Sequence, residues 1–153
     1  MSSELPGVDE HATVIAASVD DVWAALLETL DRSFAGAAAV YARAVGCVPP
    51  AATGPRPLDE GSTIPGFRVV AVEPGRELVL EGRHRFSSYA LIFRLDESTS
   101  DRTQLHAESR ASFPGPLGRV YRRLVIGTGG HVVAVRRLLT TVRRRAERTR
   151  SHR

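Results

Sequence analysis

The spacing of apolar and polar positions changes twice along the chain, and each change marks a class of element. Residues 11–18, HATVIAAS, alternate weakly and are rich in β-branched side chains, which predicts a first strand. Beyond them the apolar positions recur at helical spacing. Val22, Leu26 and Leu30 form one stripe, with Trp23 and Leu27 beside it, and together they predict an amphipathic helix. Ser18 opens the run Ser-Val-Asp-Asp, which suits an N-cap with Asp21 in the capping-box position and two acids at the positive end of the helix dipole. Residues 33–46, SFAGAAAVYARAVG, predict a second, alanine-rich helix, stopped by Gly46 and the pair Pro49, Pro50. Four prolines in residues 46–62 then predict a loop, at most with an irregular strand inside it.

From residue 66 the period is two. Segments 66–74, 76–86, 87–98 and 102–113 read as four strands, joined at Pro74-Gly75, at Ser87-Ser88 and through the polar stretch ESTSD, which predicts an antiparallel meander. After PGPLG, one long helix is expected over about 117–146. Leu117, Val120, Tyr121, Leu124, Thr128, His131, Val135, Leu138 and Val142 fall near one of its faces. The fold class is α+β, with a single domain over residues 1–148 and a disordered basic tail expected at 149–153.

This order resembles the helix-grip fold of the START-like superfamily, which includes polyketide cyclases and dehydratases, lipid-transfer domains and pollen-allergen-type carriers. The resemblance rests on HATVIAASVDDVWAALLETLDR at the front, on PGFRVVAVEPGRELVLEGRHRFSSYALIFRL in the middle and on the terminal amphipathic helix. It implies a curved antiparallel sheet wrapped around the long C-terminal helix, two short helices after the first strand, and an apolar cavity between sheet and helix. It implies no single chemistry, because one fold hosts many activities.

Strand parity sorts the faces of the meander. Leu78, Leu80, Gly82, His84 and Phe86 share one face, as do Tyr89, Leu91, Phe93 and Leu95, and likewise Leu105, Ala107, Ser109, Ala111 and Phe113. These sets are expected to face the cavity. Glu81, Arg83 and Arg85, with His106, Glu108 and Arg110, fall on the opposite face, where cross-strand ion pairs in contact with water are expected.

Composition adds limits. At 153 residues the chain is one domain by size, and 42% hydrophobic with 25% charged residues is the balance of a globular protein. No apolar run approaches the roughly 18–20 residues that span a bilayer, and no secretory signal is recognisable, so a cytoplasmic location is expected. A single cysteine, Cys47, provides neither a disulfide framework nor a thiolate cluster; no metal and no cofactor is expected. All 21 basic residues are arginine. Residues 136–153 hold eight of them against Glu147 alone, a charge of +7; since the whole chain carries +4, residues 1–135 carry −3. The basicity belongs to the C-terminus, whose simplest reading is a solvated helix end.

Polar residues on the cavity-facing sets carry the candidate chemistry. A buried polar group without a partner costs about 1–3 kcal/mol, so each must meet protein, water or ligand. The candidate ligand-binding residues are His84, Tyr89, Leu91, Phe93, Ser109, Tyr121, Thr128 and His131. His84, His131 and Tyr89 are the candidates for catalysis, an imidazole serving as base near neutral pH and a tyrosine polarising a carbonyl. The cluster Gly127, Gly129 and Gly130 lacks the spacing and lysine of a phosphate loop. Three glycines cost a helix about 1 kcal/mol apiece relative to alanine, so they are expected where space is needed, with His131 facing it.

The function expected from these residues is binding of a small hydrophobic or amphipathic ligand, lipid- or polyketide-like. The alternatives are a cyclase or dehydratase acting on a polyketide-like substrate in the same cavity, and an interaction module using the Arg-rich C-terminus. No nucleic acid partner is expected, because no aromatic residues are interleaved with the basic tail to stack bases. Membrane contact through the tail ranks below ligand binding, and the protomer is expected as a monomer or homodimer.

Overall fold

A computed structural model describes residues 5–34, 40, 43–44, 46–85, 87–125 and 130–152, without the side chains of residues 125, 130 and 131. Six strands form one antiparallel sheet: β1 (Gly7–Ile15), β2 (Thr63–Ile64), β3 (Phe67–Glu73), β4 (Glu77–Arg83), β5 (Ser88–Thr99) and β6 (Arg102–Ser112). Their order is β1-β6-β5-β4-β3-β2, so the meander runs outward from β6 and the first strand closes onto the last. Three helices complete the description: α1 (Val19–Ser33), α2 (Gly115–Val125) and α3 (Gly130–Ser151). The fold is α+β, as the change of period implied.

Local sequence explains most of these elements. Ser18 caps α1, its side chain accepting a hydrogen bond from the Asp21 backbone N–H, with Asp20 and Asp21 in the first turn. Val22, Leu26 and Leu30 point fully inward. The buried Thr103 hydroxyl donates to the Ala17 carbonyl at 3.0 Å and ties the start of α1 to β6. From α3, Val135, Leu139, Val142 and Ala146 reach the same core at helical spacing, against Ile15, Leu78, Leu80, Phe93 and Leu105.

Several boundaries differ from the sequence reading. β1 begins at Gly7, four residues earlier than expected, because pairing with β6 extends it as far as Arg110. The short β2 lies at the end of the proline-rich loop. Between β4 and β5 the chain turns after His84, whose N–H donates to the Ser87 carbonyl at 2.9 Å. The turn thus precedes Ser87 rather than using it. The second predicted helix falls largely outside the described residues, Val40, Arg43 and Ala44 being helical. The single helix expected over 117–146 is described as two, α2 and α3, and they differ in burial. Leu117, Val120 and Leu124 of α2 are 56–70% exposed, whereas Val135 and Val142 of α3 are buried. Residues 149–151, expected within a disordered tail, form the last turn of α3, where the Arg150 guanidinium donates to the Ala16 carbonyl at 3.1 Å.

The outer face of the sheet carries ion pairs, but Arg94 and Glu77, rather than the expected Glu81, Arg83 and Arg85, make them across the strands. Arg94 bridges Glu77 at 3.1 Å and Glu108 at 2.9 Å, and Arg110 donates to Glu108 at 2.7 Å. Burial pushes the Glu108 carboxyl up, but the hydrogen bonds from Arg94 and Arg110 outweigh it and hold the group below its ordinary value. Because the folded value is the lower one, the stability Glu108 contributes is complete above about 4.3, the unfolded value, and is lost as pH falls through the folded one. Glu108→Gln should therefore lower stability by about 1 kcal/mol at neutral pH. In acid titrations followed by circular dichroism, the gap between variant and wild type should shrink as pH falls; a gap that persists unchanged at acid pH would refute this role.

No helix among the described residues is long and apolar enough to cross a membrane.

Candidate functional site

On the helix-facing side, the strand register decides which residues share a wall. Gly82 lies opposite Tyr89, Tyr89 opposite Ala111, and Leu91 opposite both Leu80 and Ser109. Toward the β4–β5 turn these residues do not meet α1 and α3 closely, and a cavity of about 540 Å³ opens there. Its walls include Leu91, Ser109 and Ala111 from the sheet, Phe34 at the end of α1, Phe67 of β3, Tyr121 of α2, and Val135, Arg137, Leu138 and Thr141 of α3.

The wall is aromatic to an unusual degree for this composition. Of the seven Phe, Tyr and Trp residues among the described residues, Phe34, Phe67, Tyr89, Phe113 and Tyr121 line the cavity. The closed core, by contrast, is aliphatic apart from Phe93. With His84 the cavity rings form a continuous chain of contacts. Phe34 meets Phe67 at 5.2 Å and Phe67 meets Tyr89 at 5.1 Å. His84 lies 5.6 Å from Tyr89 and 4.6 Å from Tyr121, the latter edge-to-face, and Tyr121 lies 6.3 Å from Phe113. Edge-to-face contacts fix ring orientation through the quadrupole, so these rings define a shaped surface.

Two glycines make that surface possible. A Cβ on Gly82 would collide with the Gly66 carbonyl oxygen and stand 2.7 Å from the Tyr89 ring. Gly66 has φ +90°, a conformation closed to most side chains. Between them the Tyr89 hydroxyl donates to the Gly66 carbonyl at 2.7 Å and lies 3.6 Å from Cys47 Sγ. Burial pushes the Cys47 thiol up, against a smaller lowering by Tyr89. Cys47 is therefore a protonated, apolar part of the wall rather than a nucleophile.

The polar groups are few. His84 Nε2 and the Ser87 hydroxyl are 3.1 Å apart, and both residues line the cavity. Burial lowers the His84 pKa from its ordinary value, so the imidazole is neutral at pH 7. Among the described residues, the charged ones in the lining are Arg110, engaged with Glu108, and the exposed Arg137, and none is a carboxylate.

Of the residues proposed from sequence, His84, Tyr89, Leu91, Ser109 and Tyr121 line the cavity. Phe93 does not. It is fully buried in the closed core, because the face it shares with Tyr89 and Leu91 passes beneath α1 and α3 farther along β5. Thr128 and the side chain of His131 lie outside the described residues, as do Gly127 and Gly129. Phe34, Phe67, Cys47 and Ser87 escaped the sequence reading. Only a correct turn position would have revealed Ser87, and the other three come from segments whose approach to the meander is non-local.

The basic C-terminus is partly engaged within the fold. Arg145 donates to the Thr29 hydroxyl at 3.0 Å, and Arg143 pairs with Glu147. Among the described residues, no group of three or more His, Cys, Asp and Glu could hold a metal ion.

No protein-family model and no curated protein matches the chain. Solved structures do. The Zhui aromatase/cyclase from a Streptomyces species superposes with a TM-score of 0.59 at 17% identity, over 95% of each chain. Norcoclaurine synthase from Thalictrum flavum, in complex with dopamine and hydroxybenzaldehyde, gives 0.52 at 13% identity, over 96% of this chain and 90% of that one. CalU16 from Micromonospora echinospora gives 0.51 at 18% identity, over 90% and 82%. The chain therefore shares the fold of these structures, an antiparallel sheet packed against a long C-terminal helix.

Proposed function

We propose that the protein binds a small hydrophobic or amphipathic molecule, lipid- or polyketide-like, in the cavity between the sheet, α2 and α3. The observation that carries this reading is the gathering of five of the seven described aromatic side chains around one hollow, while Phe93 is the one aromatic residue of the closed core. Packing alone gives no reason for that distribution. Its volume of about 540 Å³ falls within the range of small-molecule sites, about 300–1,000 Å³, and a mostly apolar wall with a few polar groups is how such sites are built. Arg137 in the lining favours a neutral or acidic ligand over an amine.

The test is fluorescence titration with an anilinonaphthalene sulfonate, followed by its displacement with a panel of fatty acids and fused-ring aromatics. Tyr121→Ala removes ring contacts with His84 and Phe113, each pair contributing about 0.5–1.5 kcal/mol, and should weaken binding about tenfold. Ala111→Trp should fill the cavity and abolish binding while the protein stays folded. Binding that ignores both substitutions, or wild-type protein that takes up no compound, would defeat the proposal.

One observation favours catalysis in the same cavity, as a cyclase or dehydratase acting on a polyketide-like substrate. The neutral His84 imidazole, beside Ser87 and facing Tyr121, can accept a proton from a bound molecule. The Tyr89 proton is directed at the Gly66 carbonyl, so Tyr89 is held as part of the wall. His84→Gln should then retain binding and lose turnover. Wild-type activity should persist below pH 6.5 and disappear as pH falls through the lowered His84 value. Turnover unaffected by His84→Gln would remove His84 from the reaction.

A further inference from the structure

We infer that α2 is a docking helix for an anionic lipid surface, placed at the wall of the cavity. The inference goes beyond ligand binding and does not depend on which molecule the cavity holds. It starts from an anomaly of burial. Leu117, Val120 and Leu124 recur at spacings of three and four and lie on one stripe of α2, yet they are 70%, 56% and 63% exposed. The helix lies outside the close packing that joins α1, α3 and the sheet. Tyr121, beside the same stripe, is the α2 residue that lines the cavity.

Charge identifies the partner. The helix, GPLGRVYRRLV, carries Arg119, Arg122 and Arg123 and no acid. All three are exposed, and none is paired with an acid among the described residues. Arg32, Arg56, Arg76, Arg94 and Arg143 each have a carboxylate within 3.2 Å. An apolar stripe flanked by unpaired arginines is the pattern of a helix lying in a membrane interface. Its leucines enter the acyl boundary there and its guanidinium groups meet lipid phosphates. A second copy of this chain would bring the same arginines together, and like charges oppose that contact. Docked in this way, α2 would set Tyr121 and the cavity wall beside the lipid, where an apolar ligand is concentrated.

The test is flotation of the full chain with vesicles of phosphatidylcholine alone and of phosphatidylcholine mixed with phosphatidylglycerol. Binding is expected to the mixed vesicles only, weakening as salt rises. Arg119→Gln/Arg122→Gln/Arg123→Gln should lower the affinity about a hundredfold, the effect of three arginines near an anionic surface. Leu117→Asp/Val120→Asp should lower it as far. Circular dichroism and cavity titration with the fluorescent probe read the fold and the ligand site separately, so loss of vesicle binding with the probe site intact isolates α2. Arg144→Gln/Arg148→Gln, exposed on α3, should float like wild type. Three results would each overturn the inference: no binding to mixed vesicles, binding lost through Arg144 and Arg148 instead, or a lipid-free dimer in sedimentation that Leu117→Asp dissociates.

Discussion

Gly82→Ala is expected to lower stability by about 3 kcal/mol and to disable the ligand site at the same time. The added methyl has no room. It meets the backbone oxygen of Gly66, which cannot swing aside as a side chain would, and the Tyr89 ring from the neighbouring strand. Overpacking of this kind costs about 1–3 kcal/mol, and losing the Tyr89–Gly66 hydrogen bond adds about 1 kcal/mol. For a domain of this length the melting temperature should fall by about 10 °C, at about 2–4 °C for each kcal/mol. Relief of the clash must displace Tyr89 or β3, so fluorescent-probe binding should fall in the molecules that remain folded. A melting temperature within about 2 °C of wild type would mean that the β3–β4 edge yields easily and that Gly82 does not hold the site's geometry.

Phe93→Ala is expected to have the larger effect on stability and the smaller one on the site. Phe93 is fully buried between Leu78 and Ala107 on adjacent strands. Truncating such a side chain costs about 3–5 kcal/mol, because the surrounding core relaxes only partly into the void. That is a large share of the roughly 5–15 kcal/mol available to a domain, and the melting temperature should drop by about 10–15 °C. Phe93 is outside the cavity lining, so probe affinity per folded molecule should stay within about twofold of wild type. Together the two substitutions separate core from site. Gly82→Ala should lose both stability and binding, and Phe93→Ala mainly stability. If Phe93→Ala abolished binding in protein that is still folded, the boundary drawn here between the closed core and the cavity would be wrong.

Phe93 also shows the limit of reading a site from strand parity. Tyr89, Leu91 and Phe93 share one face of β5, and alternation along a strand assigns that face correctly because it is a local property of the backbone. Alternation is silent about depth. One end of the face is sealed by α1 and α3, and the other is left open beside Phe34, Phe67 and Tyr121. Ser87 illustrates a second limit. A two-residue error in the turn removes a residue from the site, since its partner across the hairpin, His84, is set by register. The helix stripe fails for a related reason. Periodicity joined Leu117, Val120 and Leu124 to Val135 and Val142, but a stripe states only that a face is apolar, not that anything in the same chain covers it.

By itself, therefore, the sequence determined the elements with local causes: the Ser18-capped helix, the antiparallel strands, the helix-facing set of each strand, and the charged character of the outer face. These depend on contacts a few residues apart or on neighbouring strands, where spacing alone carries the information. Tertiary structure alone decided where the apolar face stops being core and becomes cavity, which aromatic rings meet there, and which apolar helix face remains in water. Those outcomes depend on how segments distant in sequence approach one another in space, and no local period encodes that distance.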